Sequence, residues 1–181
     1  MKKIIMILVS LLLLAGCDNS KMLNTPTKKV EMFFEKYQSL DQDVIDQLDD
    51  TTYNELSFTK DQRDEYKEIM KRHYQTIKYE IKDEVIDGDT ATVTTQIEVM
   101  DYSKILNDAN EYLKNNRDEF LDEKGEYDET LFNEYRLKKL AKAEETVTYT
   151  IDLTLTKIDG VWTMDDVSND TRDKIQGIYQ H

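Results

Sequence analysis

Two stretches of strict alternation set the strongest limit on how this chain can fold. Val147, Tyr149, Ile151, Leu153 and Leu155 occupy every second position, as do Ala91, Val93, Thr95, Ile97 and Val99. A period of two puts one set of side chains on a single face of a pleated strand, so each stretch reads as a half-buried β-strand. Ile77, Tyr79 and Ile81 alternate in the same way before Asp87-Gly88-Asp89, a turn whose glycine tolerates positive φ. Ile158-Asp159-Gly160-Val161 makes a two-residue turn into a last strand with Trp162 and Met164. Four antiparallel strands in two hairpins follow.

The rest of the chain has helical spacing. Thr25 before Pro26, the only proline, is a helix start, with Val30, Phe33, Phe34 and Tyr37 on one face. Asp41 caps a second helix carrying Val44, Ile45 and Leu48, and Thr59 with Gln62 forms a capping box for a third. Between the hairpins, a helical tract from Tyr102 to Glu144 is expected to divide in two at Gly125. A short helix near Asn169 to Ile178 ends the chain. The expected class is α+β: a curved antiparallel four-stranded sheet of two hairpins, with N-terminal helices packed on one face and a helical insert between the hairpins.

Residues 1–16 carry Lys2 and Lys3, an apolar run from Ile4 to Leu14 broken only by Ser10, then small residues before Cys17, the single cysteine. Such a run is roughly half of the ~20 apolar residues that span a bilayer, which makes this a signal peptide and not an anchor. Leu14-Ala15-Gly16-Cys17 resembles the lipobox of bacterial lipoproteins. That resemblance implies cleavage before Cys17, a diacylglycerol on its sulfur, and an extracytoplasmic domain held at the cell membrane. Asp18 implies retention at the inner membrane where an outer one exists. The expected organisation is therefore signal peptide 1–16, lipidated cysteine and tether 17–25, and one domain 26–181. The order of elements, with Lys157-Ile158-Asp159-Gly160-Val161-Trp162, resembles cystatin-like or NTF2-like domains and the small uncharacterised lipoproteins of low-GC Gram-positive bacteria.

Charge narrows the partners. The chain has 24 basic against 38 acidic residues, and loss of the leader removes two lysines and no acid. Phosphate backbones repel such a chain, so nucleic acid is not an expected partner. Chemistry-bearing clusters are scarce. Cys17 is assigned to lipid, His181 is terminal, and His73 on the third helix reads as a core residue or, in an NTF2-like enzyme, as a base. The acid pairs Asp49/Asp50, Asp87/Asp89 and Asp165/Asp166 lack an EF-hand loop, and the five glycines are spread singly.

NTF2-like enzymes place an acid or histidine inside the sheet. The inward positions inferred here are Val, Ile, Leu, Ala, Thr and Tyr, so neither catalysis nor a cofactor or metal is expected. Phe33, Phe34, Tyr79, Tyr149 and Trp162 remain, either as core or as the lining of a pocket under the sheet for an apolar or glycan ligand. The leading expectation is a surface-tethered binding module that meets an envelope protein through the 102–144 insert. A small-ligand carrier is the alternative.

A Cys17→Ala chain is expected to lack lipid and to leave the membrane fraction. Release of the unaltered protein by salt alone would be the contrary result.

Overall fold

The computed structural model describes residues 23–53 and 57–180. The signal peptide, Cys17 and most of the tether lie outside the described residues, as does His181.

The N-terminal starts form as their caps dictate. Helix α1 (Pro26–Ser39) follows Thr25, whose side chain accepts from Lys28 N, and it buries Pro26, Val30 and Phe34 at intervals of four. Helix α2 (Gln42–Tyr53) buries Val44, Leu48 and Thr52 at the same interval, and its first turn donates Asp43 N to Asp41 at 3.1 Å. Helix α3 (Lys60–Thr76) has the complete Thr59/Gln62 capping box. Gln62 works twice, because its amide also donates to Thr130 O at 2.8 Å and so holds the insert.

Strands β1 (Lys78–Asp87), β2 (Thr90–Met100), β3 (Thr146–Ile158) and β4 (Val161–Met164) pair antiparallel in the order β1-β2-β3-β4. Directly paired residues share a face, so Tyr79, Ile97 and Tyr149 form one inward row, and Ile81, Thr95 and Ile151 the next. Val93, Ile97 and Leu155 are fully buried against Val30 and Phe34 of α1 and Ile69, Met70 and Tyr74 of α3. The outward face carries threonine pairs such as Thr92/Thr154 and Thr90/Thr156, and Thr94 donates to Asp152 at 2.7 Å. Only one face needs helices.

One expectation about the inward rows is corrected. The register shifts between Ile81 and Asp83, a bulge at Lys82 that exchanges the faces of everything after it. Glu84 thereby pairs with Val93 on the inward side, so that side does hold a carboxylate. Its job is local: Glu84 accepts from Thr27 N at 2.8 Å and from Thr27 Oγ1 at 2.7 Å, capping the start of α1.

The insert is also less helical than its sequence suggests. Helix α4 (Tyr102–Asn115) stops well before Gly125, a 3-10 turn spans Arg117–Phe120, and a Leu121/Tyr127 bridge closes a tight turn before α5 (Glu129–Leu140). Helix α6 (Asn169–Ile175) is shorter than expected and buries Ile175. After it Gly177 adopts φ +70, and its carbonyl accepts from Ser103 N at 2.8 Å.

A Cβ at Gly177 would run into the Met100 carbonyl oxygen, whereas one at Gly125, φ +78, meets nothing within 4 Å. Gly177→Ala is expected to cost about 3 kcal/mol or more, and Gly125→Ala only the ~1–2 kcal/mol of its left-handed backbone. Urea unfolding of the two variants checks the order.

Candidate functional site

The residues available for chemistry sort into a buried histidine, a dispersed set of aromatics and the surface of the insert. His73 lies on α3, buried at 1% exposure, with its ring 4.9 Å from that of Tyr102. Its Nε2 is 2.8 Å from Ile175 O, which fixes the tautomer that carries the proton on Nε2. Nδ1 is then a lone pair with no hydrogen-bond partner among the described residues. A second proton there would place a charge in an apolar pocket, so burial lowers the ring from its ordinary 6.5 to about 4, against the opposing pull of the Ile175 carbonyl. His73 is a neutral fastener between α3 and the C-terminal segment.

The five aromatics do not line one cavity. Phe33, Phe34 and Tyr79 gather, with Phe33 and Phe34 edge to face at 5.2 Å and Phe34 stacked on Tyr79 at 4.7 Å. Tyr149 lies in the same inward row as Tyr79, but buried Ile97 stands between them, and its own ring partner is Tyr179 at 5.9 Å. Trp162 pairs with Lys157 at the opposite end of β3 and lies under that lysine's ammonium, 5.4 Å from the ring centroid. Beneath the sheet, Val30 and Phe34 of α1 and Ile69, Met70 and Tyr74 of α3 pack against the inward strand residues. An apolar recess of about 220 Å³ opens instead among the helices, between Phe58, Tyr66, Tyr102, Leu106 and Leu137.

Two further concave surfaces lie on the insert, while others lie between the N-terminal helices and Arg172 and along the sheet at Tyr79. The insert leaves the sheet through a closed neck, where Asp101 N donates to Glu145 O at 3.0 Å. Its root joins the main core through Tyr102, Leu137 and Leu140, while its distal part packs on a separate cluster of Ala109, Phe120 and Phe132. Phe120 meets Phe132 edge to face at 5.4 Å, and Tyr112 stacks on Tyr135 at 4.9 Å. Near the neck a cleft of about 430 Å³ has Ile105, Ala109 and Tyr135 as its apolar floor, with Lys104, Asp108 and Lys139 among its charged walls. The Glu145 carboxylate bound to Lys104 holds that ammonium above the usual lysine range. At the distal tip Leu113, Lys114, Arg117 and Tyr127 surround a shallow basin, with the Arg117 guanidinium 5.9 Å from the Tyr127 ring centroid. Apolar floors with charged rims suit an amphipathic partner. Sequence periodicity marked the insert as amphipathic; the pairing of Arg117 with Tyr127 depends on a turn that it did not foresee.

Residues 1–17 match the model of the prokaryotic membrane lipoprotein lipid attachment site. The chain thus carries a lipoprotein attachment signal, which implies a membrane anchor, and no helix among the described residues is long and apolar enough to cross a membrane. Among solved structures it is similar to a candidate lipoprotein of Bacillus subtilis, ycdA, at 12% identity and a TM-score of 0.45, over 90% of this chain and 55% of that one. The chain therefore spans about half the length of that protein. No curated protein matches it.

Because the unfolded chain takes up the His73 proton first, the neutral ring contributes fully above about pH 6.5. That contribution is lost as pH falls toward 4, by about 3 kcal/mol in all. The urea midpoint is expected to fall between near-neutral pH and about pH 4.5, and His73→Gln is expected to flatten that dependence.

Proposed function

We propose that the chain is a lipid-anchored, extracytoplasmic and non-enzymatic interaction module that engages an envelope protein through its α4–α5 insert. One observation carries this reading: the insert has its own aromatic core, and its neck lies at the end of the sheet remote from the tether. The tether reaches the fold at Asn24, whose amide donates to Gly160 O at 2.8 Å and accepts from Trp162 N at 2.9 Å. Gly160 lies in the β3–β4 turn and Trp162 just after it in β4, whereas Asp101 and Glu145 follow and precede the opposite ends of β2 and β3. At ~3.3 Å per residue, the length of β2 separates the two ends by about 30 Å.

Arg117 and Tyr127 in the distal basin are of the residue types that dominate protein–protein contacts, and exposed Leu131 on α5 adds apolar surface to the insert. His73 is occupied in holding the fold together, which supports a role in binding over one in proton transfer.

Photo-crosslinking residues placed at Tyr127 and Leu131 in living cells, with Thr150 on the open sheet face as control, test the reading. The expected result is one adduct of defined mass from the two insert positions and none from Thr150. Absence of adducts, or equal capture from all three positions, would refute it. The apolar recess beside Leu106 favours a carrier as the second reading, in which case an envelope lipid fraction would raise the melting temperature and Leu106→Trp would abolish the rise.

A further inference from the structure

Exposed aliphatic side chains are unevenly distributed. Leu23, Val85, Ile86, Ile158 and Val161 are each about half exposed, at 48–58%. The other large hydrophobics exposed among the described residues, Met32, Tyr53, Tyr127 and Leu131, lie on α1, α2 and the insert. Register places the five together at the turn end of the sheet. Ile86 pairs with Ala91 and Val85 with Thr92 beside the β1–β2 turn, and Ile158 pairs with Val161 across the β3–β4 turn. The two turns are joined by Lys157 N donating to Asp89 O at 2.7 Å, and Leu23 adjoins Asn24, which clamps β4. Single exposed hydrophobics need no explanation, but a concentration of them at one place marks a contact surface.

The position of this end identifies what it meets. Six residue steps separate Cys17 from Leu23, and an extended chain covers at most ~3.6 Å per step, so Leu23 stays within about 22 Å of the lipidated sulfur. We infer that the turn end of the sheet rests on the outer-leaflet interface of the membrane, with Leu23, Val85, Ile86, Ile158 and Val161 against the boundary between headgroups and acyl chains. The inference rests on the lipid anchor at Cys17 and deepens it, from a tether to a fixed orientation. Asp87, Asp89 and Asp159 in the two turns would repel anionic headgroups, so the fitting surface is zwitterionic. Aliphatic side chains on the strand ends that flank the two turns suit shallow insertion between headgroups. Docked this way, the domain holds the neck of its insert away from the bilayer.

The test uses the full lipidated chain in phosphatidylcholine vesicles. Cys17 is the only cysteine and its sulfur is occupied by lipid, so a cysteine introduced elsewhere takes a nitroxide label alone. Val161→Cys and Val85→Cys report on the turn end. Thr148→Cys, which faces Glu98 at the other end of the sheet, is the control. The expected result is a several-fold rise in collisions with oxygen relative to an aqueous nickel complex at residues 161 and 85 on vesicle binding, with no change at 148. Ile158→Ser with Ile86→Ser in the labelled chains should abolish the rise. Chains that float with the vesicles but show no difference between 161 and 148 would overturn the inference and leave the anchor standing. Shielding of 161 from both reagents would overturn it in favour of a protein partner or a second copy. Failure to float would overturn anchor and orientation together.

Discussion

The fold depends on a one-sided sheet. Beta-strands β2 and β3 bury Val93, Ile97, Val99, Ile151, Leu153 and Leu155 on one face and present threonines on the other. Removing that single apolar face from water is the main stabilising term available to a chain without disulfides. It also dictates a single layer of helices, because an open face of Thr92, Thr94, Thr150 and Thr154 gains nothing from being covered. The long period-two runs are what make this arrangement unique: a slip of one residue would turn every Val and Leu to solvent.

The edges of such a sheet have to be managed, and each is managed by polar groups that the core does not require. Strand β4 is short, and Asn24 pairs with its free side through Gly160 O and Trp162 N. Strand β1 bends at the Lys82 bulge and turns Glu84 toward the start of α1. Unpaired strand edges invite association with other chains, and short, bulged or capped edges suppress it. One consequence is directional: the contacts that seal both edges also bring the N-terminal segment across the turn end, fixing where the tether meets the domain.

Much of this architecture was legible, for identifiable reasons. Capping signals act over three or four residues, so Thr25-Pro26 and Thr59/Gln62 placed helices correctly, and alternation at 91–99 and 147–155 placed the central strands. The bulge was not legible, because Lys82-Asp83-Glu84 alternates no more than a loop does, and the inward carboxylate followed from it. Gly125 correctly marked a break, yet α4 ends ten residues earlier, where Asn116 caps it and Phe120 turns back onto Phe132. The aromatic set shows the deeper limit. Alternation says which face a side chain occupies, but not how far along the sheet it lies from another. Only the register reveals that Trp162, on β4, pairs with one end of β3 while Tyr149 lies toward the other. Cys17, the residue with the clearest sequence signature, lies outside the described residues, and its assignment rests on the match to a lipid attachment site.

The placement of the insert argues for its importance. Strands β2 and β3 are adjacent and antiparallel, so a turn of two residues would join them. The chain instead runs from Asp101 to Glu145 through two helices and a 3-10 turn, and closes the excursion with a backbone bond at its neck. Tyr102, Leu137 and Leu140 at the root do serve the main core, which explains why the insert is rigidly seated. The distal part has its own aromatic cluster, in which Phe120 and Phe132 pack with Tyr112 and Tyr135, while Thr130 O and Asn133 Nδ2 at the start of α5 hydrogen-bond to Gln62 and Ser57. Long connections that the scaffold does not need are where binding surfaces are usually built. On the proposed reading, a membrane anchor entering near the turn end and an insert rooted at the opposite end make the length of the sheet the spacer between them.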